Sequence, residues 1–160
     1  MTSIHPILVI GIGNDYRRDD AVGLYVARKI REKDLDGVKV IDGISDGTSL
    51  IDAWEHAARV YFIDGTISGS LAGKIFRFDG LNETIPHELF PPFSTHAINV
   101  ADAVRLAETL GQFPPSLIIF GIEGKNFEAG YGLAEAVQSA AEEVIGRIIR
   151  EIEELGRNGH

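Results

Sequence analysis

Apolar and polar positions along this chain keep two rhythms. Residues 7–11 (ILVIG) and 116–122 (SLIIFGI) are apolar runs without alternation. Both predict strands, and the run at 7–11 predicts one buried on both faces, as in a parallel sheet covered by helices. Residues 38–41 (VKVI) and 59–64 (RVYFID) predict two further strands. Residues 74–79 (KIFRFD) alternate, which suits an edge strand. Between these runs the apolar period lengthens to that of a helix. Val22, Val26 and Ile30 share one face of a helix over 20–33. A second helix is expected over 48–58, opened by Thr48 or Ser49 as a cap, and a third over about 96–110. A long last helix over 133–155 aligns Val137, Ala141, Val144, Ile148, Ile152 and Leu155 on one stripe. Residues 65–73 (GTISGSLAG) read as a loop with too many small residues to pack, and 80–95 as a Pro-rich loop.

Strands alternating with helices predict a three-layer α/β/α sandwich on a mostly parallel sheet. Residues 65–73 leave no room for a helix between the third and fourth strands, so the fourth is expected to run antiparallel. Neither repeat nor linker divides the chain, so residues 1–160 read as one domain with a frayed tail at about 156–160.

Composition narrows the chemistry. A formal net charge of −9 argues against nucleic acid and anionic membranes as partners. No apolar run approaches the ~20 residues of a membrane span. The start of the chain lacks the basic region of a signal peptide, so a cytoplasmic location is expected. With no Cys, disulfides and thiolate chemistry are excluded. Any metal would be held by oxygen and imidazole nitrogen.

The segment from Gly11 to Gly23 (GIGNDYRRDDAVG) follows the first strand and opens the first helix. A glycine turn there permits close backbone approach. It does not read as a phosphate site. The dinucleotide fingerprint wants Gly or Ala where Tyr16 stands, and the Gly-Lys-Ser/Thr of a P-loop is absent. The adjacent carboxylates Asp19 and Asp20 would repel phosphate and attract a cation. In open α/β sheets, sites form beyond the carboxyl ends of the strands. Asp20, Asp42, Asp64 and Glu123 stand at such ends, and His96 opens the third helix on the same rim. If the first and third strands are neighbours, Asp20 and Asp64 lie close together. Two carboxylates about 5 Å apart repel by roughly 3 kcal/mol at an effective dielectric near 20, which a cation or a proton between them relieves. Carboxylate, carboxylate and imidazole make an open three-ligand site for a metal such as Zn²⁺ or Ni²⁺.

Simpler roles compete for each residue. Asp20 also suits a helix cap, Asp42 and Asp46 turn formers, Asp19 a solvent-facing side chain, and Glu123 a partner for loop backbone. Arg17 and Arg18 suit a solvated pair or a guide for an acidic group. His5, His56, His87 and His160 fall on terminus, helix surface, loop and tail.

The chain resembles the hydrogenase maturation endopeptidases, which process the large subunit of nickel–iron hydrogenases. Their first motif, G-x-G-N-x-x-x-x-D-[D/E]-x-x-G, is filled without a gap by Gly11, Gly13, Asn14, Asp19, Asp20 and Gly23. Asp64 ends an apolar strand as in their second motif, and FSTHAINV carries the third as His96. DGISDGTSLIDAW resembles their DGGT-type loop with an altered glycine pattern, and Gly124 replaces the Pro of their GIEP segment. The resemblance covers almost the whole chain. It implies a five-stranded mixed sheet of order 2-1-3-5-4 with strand 4 antiparallel. It also implies an aspartic-type endopeptidase that cuts once near the C-terminus of a large subunit precursor after nickel insertion. The family's metal ligands map onto Asp20, Asp64 and His96. Those residues would either hold a metal that activates water, or recognise the substrate's nickel while one carboxylate acts as general base. The rival readings are a non-enzymatic metal-sensing or nucleotide-binding domain and a general metallopeptidase. No nucleophile elbow is visible, so serine chemistry is not expected.

Overall fold

The apolar runs form the centre of a five-stranded sheet. A computed structural model of the chain describes residues 6–43, 47–90 and 100–158. The strands are β1 (Ile7–Gly11), β2 (Val38–Asp42), β3 (Arg59–Thr66), β4 (Ile75–Asp79) and β5 (Leu117–Glu123). The helices are α1 (Val22–Glu32), α2 (Gly47–Trp54), α3 (Val100–Leu110) and α4 (Glu135–Asn158). The sheet order is β2-β1-β3-β5-β4. β4 alone runs antiparallel, paired with β5 at the edge.

Alternate residues of the central strands feed two cores. On one face Val9, Tyr61, Ile63, Phe120 and Ile122 pack with Val22, Val26 and Ile30 of α1 and Val137, Val144 and Ile148 of α4. On the other, Leu8, Ile10, Phe62 and Ile119 pack with Leu50, Ile51 and Trp54 of α2 and Val104 and Ala107 of α3. This is the expected three-layer sandwich, with strand 4 antiparallel.

Several boundaries differ from expectation. The helix expected over 20–33 begins as a 3₁₀ turn, Arg18–Ala21, and becomes α-helical at Val22. Its N-cap residue is Ala21, which makes no side-chain cap bond, so Asp20 is not the cap. α2 starts at Gly47, which puts Thr48 and Ser49 inside the helix rather than at its cap. It ends at Trp54 rather than residue 58, because Ala58 and Arg59 both donate to the Pro6 carbonyl as the chain turns into β3. β3 runs on to Thr66, so Gly65 and Thr66 are buried strand residues and not loop. The four residues 96–99 expected to open the third helix lie outside the described residues. α4 continues to Asn158, past the expected end at 155 and into the tail read as frayed. Its stripe is buried from Val137 to Ile152, but Leu155 is 37% exposed, since the helix by then has passed the edge of the core.

At Gly11 and Gly23 the backbones of the sheet and α1 come into direct contact. A Cβ on Gly11 would stand 2.0 Å from the Gly23 carbonyl oxygen, and one on Gly23 would stand 2.4 Å from the carbonyl oxygens of Ile12 and Ile63. All three obstacles are backbone. Gly23→Ala is therefore expected to destabilise the protein by about 1–3 kcal/mol, as overpacking does. Gly146→Ala, in α4 with nothing within 4 Å of the new methyl, should stabilise by about 0.5–1 kcal/mol. Urea unfolding of the two variants beside wild type checks both signs.

Candidate active site

The close approach of α1 decides where Asp20 stands. Beyond β1 the chain passes Gly13, whose own missing side chain would lie 1.9 Å from the Asp20 carbonyl oxygen. It then tightens: Arg17 N–H donates to Asn14 C=O at 3.1 Å and Asp20 N–H to Arg17 C=O at 3.0 Å. That 3₁₀ turn brings Asp20 beneath the surface, only 6% exposed. Asp64 arrives from β3. The β1–β3 ladder ends at the pair Gly11 and Ile63, so Asp64 is the first β3 residue beyond β1. It is 3% exposed.

The two carboxylates are close enough to repel and poorly supplied with donors. Burial pushes the Asp20 carboxyl up to about 6, against the pull of a backbone hydrogen bond from Asn14 and the nearby Arg17 charge. Asp64 is raised well above the usual carboxylate range, first by burial and then by the Asp20 charge. Its one opposing bond comes from Gly65 N–H to Oδ1 at 2.8 Å.

Two other buried acids beside them are saturated. Asp19 is fully buried, contrary to the solvent-facing expectation. Its Oδ2 accepts from Lys125 N–H (2.7 Å) and Asn126 N–H (2.8 Å), and its Oδ1 from Ala134 N–H (2.8 Å). Hydrogen bonds to a charged group contribute roughly 1.5–3 kcal/mol each. They offset a left-handed backbone at Arg18 (φ 45), which costs on the order of 1–3 kcal/mol. Glu123 accepts from the Thr66 hydroxyl (2.7 Å), Ser68 N–H and hydroxyl, and Gly69 N–H, so it holds loop backbone as expected. The unrecognised role was that of Asp19. A signal for it exists in residues 124–134 (GKNFEAGYGLA), a stretch with no apolar period whose backbone donors need acceptors from elsewhere.

The remaining candidates divide. Asp42 belongs neither to the site nor to a turn: Arg31 and Arg28 of α1 hold it and keep its carboxyl below the usual range. Arg17 reaches the Phe127 carbonyl at 3.4 Å, and Arg18 lies against Gly130, so neither is a merely solvated side chain. His56 is exposed, and His87 pairs with Asp102 at 3.0 Å. His5, Asp46, His96 and His160 lie outside the described residues. Among the described residues no three Asp, Glu or His side chains are grouped to hold a metal ion. Asp20 and Asp64 nevertheless fit two ligands of a divalent cation, since they are desolvated, mutually repelling carboxylates with spare lone pairs. No helix among the described residues is long and apolar enough to cross a membrane.

Comparison with known proteins follows the same line. The model of the hydrogenase maturation protease family matches residues 24–151, a span that contains Asp64 and His96 and begins just after Asp20. The hydrogenase 2 maturation protease of Escherichia coli is 24% identical over 155 residues, covering 94% of this chain and 92% of that protein. The hydrogenase expression/formation protein HoxM of Azotobacter vinelandii is 26% identical, over 94% of this chain and 73% of its own length. Among solved structures, the hydrogenase maturating endopeptidase HybD from E. coli superposes with a TM-score of 0.77 at 22% identity, covering 94% of this chain and 93% of that one. The NiFe hydrogenase maturation protease HybD from Thermococcus kodakarensis gives 0.70 at 22% identity, over 91% and 97%. The two structural superpositions show that the fold is shared over nearly the whole of each chain.

The raised pKa values make stability fall as pH rises. An unfolded Asp titrates near ~3.9, whereas folded Asp20 titrates at about 6. Between those values the folded state holds the extra proton, so Asp20 costs stability as pH rises through the window. The full cost, on the order of 3 kcal/mol, is reached above it. In metal-free buffer Asp20→Asn should therefore stabilise the protein at about pH 8 and change little at about pH 4. Urea unfolding at the two pH values measures the difference. A variant less stable than wild type at the higher pH would mean that Asp20 is held by favourable bonds and not strained.

Proposed function

The chain belongs to the hydrogenase maturation protease family, and we propose that it removes a short C-terminal peptide from a nickel–iron hydrogenase large subunit precursor after nickel insertion. The observation that carries this reading is the pairing of two buried, donor-poor carboxylates, Asp20 and Asp64, on the carboxyl-end rim of the sheet. His96 completes the proposed set from its place in the chain. The proposed setting is the cytoplasm, with the precursor as partner and neither nucleic acid nor membrane involved.

The chemistry follows from the desolvation of the pair. Burial raises both carboxyls, Asp20 to about 6 and Asp64 well above the ordinary carboxylate range, so the pair favours holding one proton between them. The ionised carboxylate takes a proton from the attacking water; a general base titrating near the working pH is the efficient kind. The protonated carboxyl donates to the oxygen of the scissile amide as charge develops there. The precursor's nickel is part of the substrate, and the two carboxylates with His96 suit its recognition. A divalent ion held by Asp20, Asp64 and His96, whether that nickel or zinc, would polarise the carbonyl and acidify a bound water.

Mass spectrometry of the precursor tests this reading directly. Wild type should shorten the nickel-loaded precursor by one C-terminal peptide and leave the nickel-free form intact. Asp20→Ala, Asp64→Ala and His96→Ala should each remain folded and lose processing by at least ~10³-fold, the scale of a lost catalytic group. Near wild-type processing in any one of them removes that residue from the site. Equal cutting of nickel-free precursor would replace nickel recognition with a general metallopeptidase.

A further inference from the structure

We propose that Asp19 is a positioning residue for the cleavage: its carboxylate locks the loop between β5 and α4 onto the β1 turn, and that lock sets where Asp20 stands relative to Asp64. The inference rests on the protease reading and adds to it a residue that touches no substrate.

Asp19 and Asp20 are consecutive in one 3₁₀ turn, so neither can shift without moving the peptide they share. Besides accepting three N–H groups from the loop, Asp19 donates its own N–H to the Asn126 carbonyl at 3.0 Å. The next residues extend the junction. Arg18 N–H donates to Gly130 C=O at 3.0 Å, and Gly130 N–H to Tyr16 C=O at 2.8 Å. The loop thereby reaches the supports of both acids. On the Asp20 side, its Phe127 carbonyl accepts from Arg17, the cation that faces Asp20. On the Asp64 side, the Phe127 ring lies over Gly65, whose N–H holds the Asp64 carboxylate.

The same loop contributes little to the core. Lys125, Asn126, Glu128, Ala129, Tyr131 and Gly132 are exposed. A fully buried acid spending three bonds on a mostly exposed loop is poorly explained by stability alone. Gly124 fits the same picture. Its N–H donates to Thr66 C=O at 3.1 Å, which a Pro could not do, and a Cβ there would stand 2.4 Å from the tip of the Phe127 ring.

The test is steady-state processing of nickel-loaded precursor by wild type, Asp19→Asn, Gly124→Ala and Glu128→Ala, with amide hydrogen exchange on each protein. Asp19→Asn places an N–H₂ against N–H donors and releases the loop. Its kcat should fall about 10²-fold, the scale of a 1 Å misplacement, with KM within about twofold of wild type. The amides of residues 125, 126 and 134 should exchange faster while those of β3 and β5 keep their protection. Gly124→Ala, which pushes the Phe127 ring from the other side, should lower kcat in the same sense, and Glu128→Ala should leave it unchanged. Released amides with an unchanged kcat would overturn the proposal. So would a loss confined to KM, which would make the loop a binding element. If Asp19→Asn does not fold, an unchanged kcat in Gly124→Ala overturns it equally. Wild type that leaves the precursor uncut would instead overturn the protease reading, and this inference with it.

Discussion

The site depends on how near α1 comes to the sheet. At Gly11 and Gly23 backbone lies against backbone, and any side chain would force the helix away from β1 and β3. That contact carries the turn before the helix down to the end of β3. The glycine spacing resembles a nucleotide turn because both need the same close helix–strand packing. The occupant of the helix start differs: here it is a pair of the protein's own carboxylates, where the partial positive charge of a helix N-terminus favours them.

Four carboxylates at this end of the described structure, Asp19, Asp20, Asp64 and Glu123, are buried. Their unequal treatment separates framework from chemistry. Asp19 and Glu123 are each surrounded by backbone N–H groups of a loop, so their charges are satisfied inside the protein. Asp20 and Asp64 have a single backbone donor each, and the Asp20 charge disfavours a charge on Asp64. A buried charge left in that state is costly unless something else completes it. The fold tolerates the cost because the framework acids fasten both neighbouring loops and keep the pair from relaxing apart.

The layers and the rim were legible because they rest on continuous signals. The unbroken apolar run at 7–11 predicted a doubly covered strand, the run at 116–122 a further strand, and the short 65–73 connection the antiparallel edge. Asp20 and Asp64 were placed on one rim for the same reason: each stands where an apolar run ends. Partnerships across the chain were not legible. Nothing near Asp19 announces that its three donors come from residues 125, 126 and 134, and nothing near Asp42 announces Arg28 and Arg31. Capping propensity pointed to Thr48, Ser49 and Asp20, but the helix starts were decided by tertiary geometry, by the glycine contact at α1 above all.

The junction between the β1 turn and the β5–α4 loop joins residues more than 100 positions apart. On a ribosome the turn emerges early, and its acceptors wait for donors that are translated near the end. Until residue 134 is free of the exit tunnel, Asp19 lacks the loop donors that hold it in the folded protein, and the turn is not fastened. Contacts of such long sequence separation form late in folding. Synthesis order thus places the fastening of the turn after all five strands have been translated, since the donors at residues 125, 126 and 134 follow the end of β5 at Glu123.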